Sequence, residues 1–381
     1  MSKINQSIGV LGGGQLGRML VEAAAPLGLD IRVLDVDGDY PAAGVCPKFY
    51  EGSFLDFNDV VGFGQEVDIL TVEIENVNIE AIKYLEGNGT FVYPQSFVLE
   101  KIIDKGVQKQ FYLDHGLPTA PAQFVKGKAE IMEKYTSGEL KLPFVQKIRV
   151  GGYDGRGVYI VKDEAGLSEI LDGPSIIEPL VAIRRELAVI VARSVSGEVK
   201  VFPVVEMQFH PTANLVEFLF CPSKIEDERQ KYVQDIARDL AIKLGIVGLL
   251  AVELFEDDQG NILINECAPR PHNSGHHSIE ACITSQFEQH LRAILDLPLG
   301  DADLIMPCVM INVLGESGFS GAPLYEGIEE TLKIEGVYPH LYGKKNTKPF
   351  RKMGHVTIMD HTLEEAISKA KIIQQTLKVK A

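Results

Sequence analysis

The residues with the clearest chemical potential lie in one short run, Asn265 to His277, which reads NECAPRPHNSGHH. It sets a carboxylate, an arginine, three histidines, two prolines and a glycine into thirteen positions. Two prolines exclude a regular helix and disfavour a ladder-paired strand. The run therefore reads as a strand end passing into a stiff loop, where functional groups gather. Glu253 lies on the preceding apolar run, Val247 to Phe255, and Asp257-Asp258-Gln259-Gly260 is turn-like. Folding about that turn brings Glu253 and Glu266 to nearly matching positions on adjacent strands. Carboxylates so placed repel unless a cation lies between them. With Asn265 beside them, these hard oxygen donors suit Mg²⁺ that also holds nucleotide phosphates. The alternative is a hairpin with two solvated acids, and the apolar character of both strands weighs against it. Glu256, further along, reads as a surface acid.

Three other stretches point to anions. Leu142 to Lys147 reads as a strand ending in a lysine, followed by Gly151-Gly152-Tyr153-Asp154-Gly155-Arg156-Gly157 and a strand from Val158 to Val161. Four glycines in seven residues let backbone amides approach phosphates, and Lys147 and Arg156 supply charge. Strand, turn, strand is a flap, unlike the P-loop, which runs from strand to helix. A hairpin without a ligand is the alternative. Near the N-terminus, Gly12-x-Gly14-x-x-Gly17 lies between a strand, Ser7 to Leu11, and a helical stretch, Arg18 to Leu27. It matches the dinucleotide fingerprint, with Asp35 at the spacing of a ribose contact. The match is weak, because such glycines turn amides toward any anion at a helix N-terminus. Lys344 to Lys352 carries five bases in nine residues of an acidic protein. It reads as an anion site or as a solvated basic loop.

The elements that position these groups are α/β. Residues 1 to about 97 alternate strand and helix, with Glu73 and Glu75 just past the strand Ile69 to Val72, and form one doubly wound unit. Phe97 to His115 is mostly helical, and the Pro-rich piece at Leu117 to Pro121 is a connector. Antiparallel strands follow at Ser175 to Glu178, Glu186 to Arg193, Val199 to Glu206 and Glu217 to Cys221. Asp227 to Leu244 is an amphipathic helix, and Ile279 to Leu295 is helical. The remainder holds strands near Val309 to Val313, Thr331 to Tyr338 and His355 to Met359, then a helix from Leu363 to Gln375. This divides the chain into 1–97, an α+β part over 98–298 with its flap at about 120–180, and a small β-rich part over 299–381.

Bulk properties narrow the class. The chain has 381 residues, 45% hydrophobic and 24% charged, the balance of a globular protein. A net charge of −16 argues against nucleic acid as the main partner. No apolar run approaches membrane-spanning length, and MSKINQS leads directly into a strand, without a signal peptide. Five scattered cysteines form no CxxC pair and read as buried thiols in a reducing cytoplasm.

The order of these features resembles the ATP-grasp ligases. Within them it is similar to the N5-carboxyaminoimidazole ribonucleotide synthetases of purine synthesis. The stretches that carry the resemblance are GVLGGGQLGRML, LPTAP, GGYDGRG, NECAPRPHNSGH, SQFEQHLRAIL and RKMGH, in family order along nearly the whole chain. The resemblance implies a Rossmann-like N-terminal domain, an ATP-grasp domain with a flap, and a small C-terminal domain. It implies that Lys105 and Lys147 contact ATP phosphates under the flap Gly152, Tyr153, Asp154, Gly155, Arg156, Gly157 and Val158. It places adenine and ribose at Glu178, Pro179, Leu180, Val181 and Glu186, and Mg²⁺ at Glu253 and Glu266 with Asn265 in support. Gln15, Tyr153, Asp154, Arg156, Arg270, His272 and Asn273 would line the aminoimidazole ribonucleotide pocket, with Lys344, Arg351 and Lys352 on its 5′-phosphate. Bicarbonate would be activated as carboxyphosphate, with Lys147 and Arg156 as catalytic cations and Asp154 as the base that takes the amine proton. Lys105 stands where some members have arginine, which keeps the charge and loses the bidentate fork. The resemblance also implies a homodimer.

Three other readings compete. A formate-using glycinamide ribonucleotide transformylase keeps the ATP residues but does not account for GGYDGRG with PRPHNSGH. A nicotinamide oxidoreductase rests on Gly12 to Gly17 alone, and no catalytic domain with a proton donor accompanies it. A non-catalytic nucleotide-binding regulator need not keep Lys147, Asp154, Glu253 and Glu266 together.

Overall fold

A computed structural model describes residues 2–36, 40–152, 157–209 and 215–381. The chain divides into two compact units. One comprises Met1–Leu99, Ala188–Ala251 and Ala268–Ala381; the other comprises Glu100–Leu187 and Val252–Cys267.

The first unit opens with a five-stranded parallel sheet. Its strand order is Phe49–Glu51, Ile31–Asp35, Ile8–Leu11, Ile69–Val72, Phe91–Val92. The central strands are almost wholly buried, as strands covered on both faces must be. The helix Gln15–Ala24 packs Leu16, Met19 and Leu20 into a core shared with Phe287, Leu291 and Ile294 of the helix Gln286–Ile294. It begins three residues earlier than its apolar spacing predicts, directly at the glycine turn. It gives way to a 3₁₀ turn, Ala25–Leu27, at Pro26, which has no N–H to continue it.

The same unit holds an antiparallel run in the order Val205–Phe209, Val216–Cys221, Cys308–Leu314, Lys352–Met359, Val337–Leu341. The helix Leu363–Thr376 lies on it, started by a Thr362/Glu365 capping box. Two expected elements are divided. Thr331 to Tyr338 is the end of a helix, Ile328–Leu332, and the start of the strand Val337–Leu341, parted at Gly336 with φ +77°. Ile279 to Leu295 is likewise two helices, Ser278–Ala281 and Gln286–Ile294, because Ser285 caps the second.

In the second unit, a four-stranded sheet runs Gln123–Val125, Ser175–Pro179, Phe144–Ile148, Val158–Val161. The last two form the expected hairpin, with Lys147 opposite Val158. The stretch from Phe97 to His115 is two helices, Ser96–Ile103 and Lys105–Asp114. They break at Asp104, whose side chain accepts from the Gly106 and Val107 amides. The strands Gly248–Asp257 and Ile262–Ala268 are sheet neighbours. Their turn is fastened by Asp257 Oδ1, which accepts from the Gln259 and Asn261 amides. The second strand runs on through Ala268, so Asn265 and Glu266 lie within it rather than in a loop; Pro269 marks its end.

Candidate active site

In the second unit, pairing of Phe144–Ile148 with Ser175–Pro179 sets Val145 opposite Glu178 and Lys147 opposite Ile176. Lys147 and Glu178 are therefore diagonal neighbours. Lys147 Nζ lies 2.9 Å from Glu178 Oε2, and Lys109 Nζ lies 2.6 Å from Oε1. The Lys109 contact is coulombic rather than a directed hydrogen bond. Glu178 is 5% exposed and Lys109 2%. Burial pushes the Glu178 carboxyl up, but Lys147 and Lys109 outweigh it and bring it below the usual carboxylate value. Burial lowers the Lys109 ammonium from its ordinary value despite that carboxylate.

Lys147 also donates to Asn265 Oδ1 at 2.8 Å, and Lys105 donates to Glu266 Oε2. Lys105, Lys109, Lys147, Asn265 and Glu266 line one small cavity. Lys105 and Lys109 stand one helical turn apart on Lys105–Asp114, so both reach it. The base of the glycine-rich turn is clamped to this helix. Arg149 holds Asp104 through Nε at 2.8 Å and Nη2 at 2.6 Å, and its carbonyl accepts the Lys105 amide at 2.8 Å. Gly152, Gly157 and Val158 lie at the described edges of that turn. Tyr153, Asp154, Gly155 and Arg156, which carry the expected base and a cation, lie outside the described residues, as does His210.

Pro179 and Leu180 follow Glu178 as exposed residues, with Val181 half-buried. Glu186 is half-buried on the next strand, and burial alone raises its pKa to about 7. Glu253 and Glu266 are half-buried acids on neighbouring strands. Glu256 is not a surface acid: it is 2% exposed and pairs with Arg185 at 2.5 Å.

In the first unit, the glycine turn is already filled. Gly13 N donates to Asp35 at 2.6 Å, Gly14 N to Glu73 Oε1 at 2.7 Å and Gly17 N to Glu73 Oε2 at 2.5 Å. A Cβ at Gly12 or Gly14 would fall 2.3 or 2.5 Å from Glu73. The glycines thus make room for Glu73, and Asp35, 1% exposed, is a cap rather than a ribose ligand. Burial raises the pKa of Glu73 even against those two amides. Gln15 opens the helix beyond, half-buried.

The expected ribonucleotide residues form two neighbourhoods here. Arg270 grips Glu75 with Nε at 2.5 Å and Nη2 at 3.2 Å. His272 accepts the Ser274 amide, and Asn273 exchanges hydrogen bonds with Asn312 at 2.9 and 3.2 Å. Lys344 donates to the Lys352 carbonyl at 2.7 Å and Arg351 to the Asn346 carbonyl at 2.9 Å, which draws the three bases together. A column of imidazoles joins the neighbourhoods. His355 stacks on His340 at 4.5 Å between centroids and lies 4.7 Å from His276.

Sequence reasoning assigned no role to Glu73, Glu75, Lys109 or Asn312. Glu73 and Glu75 carried a signal, since acids just past the carboxyl end of a central parallel strand sit where such sheets bind ligands. Lys109 carried a weaker one, its spacing from Lys105. Asn312 carried none.

The chain matches the ribonucleotide synthetase preATP-grasp domain over residues 5–103, the ATP-grasp domain over 110–287 and the phosphoribosylaminoimidazole carboxylase C-terminal domain over 308–369. It is 38% identical to the N5-carboxyaminoimidazole ribonucleotide synthase of Bacillus subtilis, over 95% of this chain and 93% of that one. The crystal structure of N5-carboxyaminoimidazole ribonucleotide synthetase from Thermotoga maritima superposes with a TM-score of 0.90 at 40% identity, covering 99% of both chains. The Aspergillus clavatus N5-carboxyaminoimidazole synthase, solved with ADP and 5-aminoimidazole ribonucleotide, gives 0.89 at 30% identity over 98% of both. Full-length similarity at these identities, with all three domains in order, means that this chain belongs to the N5-carboxyaminoimidazole ribonucleotide synthase family.

Proposed function

We propose that the protein is an ATP-dependent ligase that carboxylates the exocyclic amine of 5-aminoimidazole ribonucleotide, with bicarbonate as carbon source, in purine biosynthesis. The observation that carries this reading is the convergence of Lys105 and Lys147, from different elements, on the Asn265-Glu266 pair beside buried Glu178. Two ammonium groups at one cavity suit a polyphosphate. Pro179 to Val181 and Glu186 follow as the adenine and ribose side. The domains fall at 1–97, 98–298 and 299–381.

Glu266 already receives a cationic group, and Glu253 stands on the neighbouring strand, so the donor set fits a hard divalent ion. Among the described residues no group of three His, Cys, Asp or Glu side chains is placed to hold a metal. Mg²⁺ held by Glu253 and Glu266 would complete its shell with phosphate and water oxygens. When bound, it supplies charge neutralisation at the transferring phosphoryl group.

Lys105 and Lys147 orient the nucleotide phosphates. A flap over Gly152 to Val158 that closes on these phosphates would exclude water from short-lived carboxyphosphate. Gln15, Arg270, His272 and Asn273 hold the ribonucleotide, with Glu75 fixing the Arg270 fork. Lys344, Arg351 and Lys352 take its 5′-phosphate. Asp154 accepts the amine proton, Arg156 serves as a catalytic cation and Tyr153 contacts the substrate. The ligase acts in the cytoplasm as a homodimer.

The deciding experiment measures ADP formed from ATP with 5-aminoimidazole ribonucleotide, with and without bicarbonate. Turnover that requires both is expected. Turnover that instead requires formate and glycinamide ribonucleotide would establish the transformylase.

A further inference from the structure

Glu178 is a buried carboxylate with two lysines, one more than its charge requires. The two are held differently. Lys109 is 2% exposed and is fixed from three sides: by Glu178 at 2.6 Å, by Thr119 Oγ1 at 2.5 Å and by the Ala120 carbonyl at 3.3 Å. Thr119 is anchored in turn, donating to the Ile264 carbonyl at 2.8 Å. Among the described residues Lys147 is held by Glu178 and Asn265 Oδ1, and its side chain is 12% exposed at the cavity. One lysine is built in and the other is able to leave.

We infer that Lys109 is a positioning residue for nucleotide binding. It keeps Glu178 paired and ionised when Lys147 leaves that carboxylate for a nucleotide phosphate. This rests on the reading of Lys147 as a phosphate contact.

The physical reason is the cost of an uncompensated buried charge. Removing one partner of a buried ion pair is strongly unfavourable because the other charge stays desolvated. If Lys147 were the only counter-charge on Glu178, each phosphate it engaged would leave an orphaned carboxylate behind. With Lys109 locked beside Oε1, Lys147 exchanges one anion for another and Glu178 stays neutralised. Lys109 cannot substitute for Lys147 at the phosphate, because Thr119 and Ala120 hold it in place.

The test compares full-length wild type with Lys109→Met, Lys109→Gln and Lys147→Met. ADP binding with Mg²⁺ is followed by calorimetry and adenosine binding by ligand-observed NMR. Both Lys109 variants are expected to fold, since Lys147 still pairs Glu178 in the free protein. They should bind ADP roughly 10- to 100-fold more weakly, because Lys147 is now retained by the carboxylate. Adenosine affinity should be unchanged, because adenosine makes no demand on Lys147. Lys147→Met should also weaken ADP alone.

Wild-type ADP affinity in the Lys109 variants, beside a weakened Lys147→Met, overturns the inference and leaves the phosphate role of Lys147 standing. Unchanged ADP affinity in Lys147→Met removes that role, and the inference with it. Equal loss of ADP and adenosine binding would make Lys109 a packing residue. Failure of both Lys109 variants to fold also overturns the inference, since it requires Lys147 alone to hold Glu178.

Discussion

The Glu73 carboxylate receives the Gly17 amide at 2.5 Å, and its other oxygen takes the Gly14 amide at 2.7 Å. The turn that matches a dinucleotide fingerprint therefore carries an anion of its own, supplied from the end of the neighbouring strand Ile69–Val72. A pyrophosphate would have to displace it. Calorimetry with NADH or NADPH is expected to show no binding up to roughly 1 mM, and a micromolar dissociation constant would reverse this reading. Glu73→Ala strands two donors and should destabilise by roughly 1–3 kcal/mol for each, measured by urea denaturation.

Glu266→Gln halves the carboxylate charge of the Glu253/Glu266 pair. The Mg²⁺ concentration for half-maximal activity should rise roughly tenfold or more. Glu329→Gln, at an exposed position, is the control and should leave it unchanged. An unaltered Mg²⁺ titration in Glu266→Gln takes Glu266 out of the metal site.

Glu186 titrates at about 7 in the free protein because burial disfavours its charge. Ribose hydroxyls donate to the ionised form and so lower that pKa on binding. Below the free-state value the group is protonated before binding and ionised after it, so ADP binding should release a proton near pH ~6.5. The release should vanish by pH ~8.5, where Glu186 is already ionised, and in Glu186→Gln. Calorimetry in buffers of different ionisation enthalpy measures it, and proton uptake or no change would place the ribose elsewhere.

Asp154 tests the base assignment. Asp154→Asn keeps the size and a hydrogen-bonding side chain but cannot accept the amine proton. It should bind both substrates nearly normally and lose carboxylation by roughly 10²–10⁴-fold, with residual ATP cleavage uncoupled from product. ADP and product measured in one reaction decide it. Tight coupling near the wild-type rate ends the general-base role.

What the sequence discloses is what repeats locally. The helix Asp227–Leu244 has the expected bounds because its buried positions, Val233 to Leu244, recur at helical spacing over about three turns, and Gly245 at φ +69° ends it. The hairpin around Lys147 was legible because strand, glycines and strand adjoin. The burial of Glu256 follows from strand alternation, since Val252, Leu254 and Glu256 share the buried face. The Lys109–Glu178–Lys147 set was not. It joins a helix, a strand and a hairpin end, and no local period reports which charges meet inside a fold. Glycine spacing at Gly12 to Gly17 discloses that backbone must approach something closely. It does not disclose that the something is Glu73.

The imidazole column also limits how the protein tolerates acid. His276 and His355 are fully buried, and burial holds both well below the ordinary histidine value, with neighbouring cationic groups adding to it. Their rings stay neutral in the folded chain at a pH where the unfolded chain would take up protons. Stability is therefore whole above the unfolded value of about 6.5 and falls as pH drops beneath it, by about 1.4 kcal/mol per histidine for each pH unit. The two together make acid a cooperative denaturant, acting first where the RKMGH strand meets the PRPHNSGH loop. Denaturant melts taken across that range should show the slope, and a flat profile would mean that the rings charge in place.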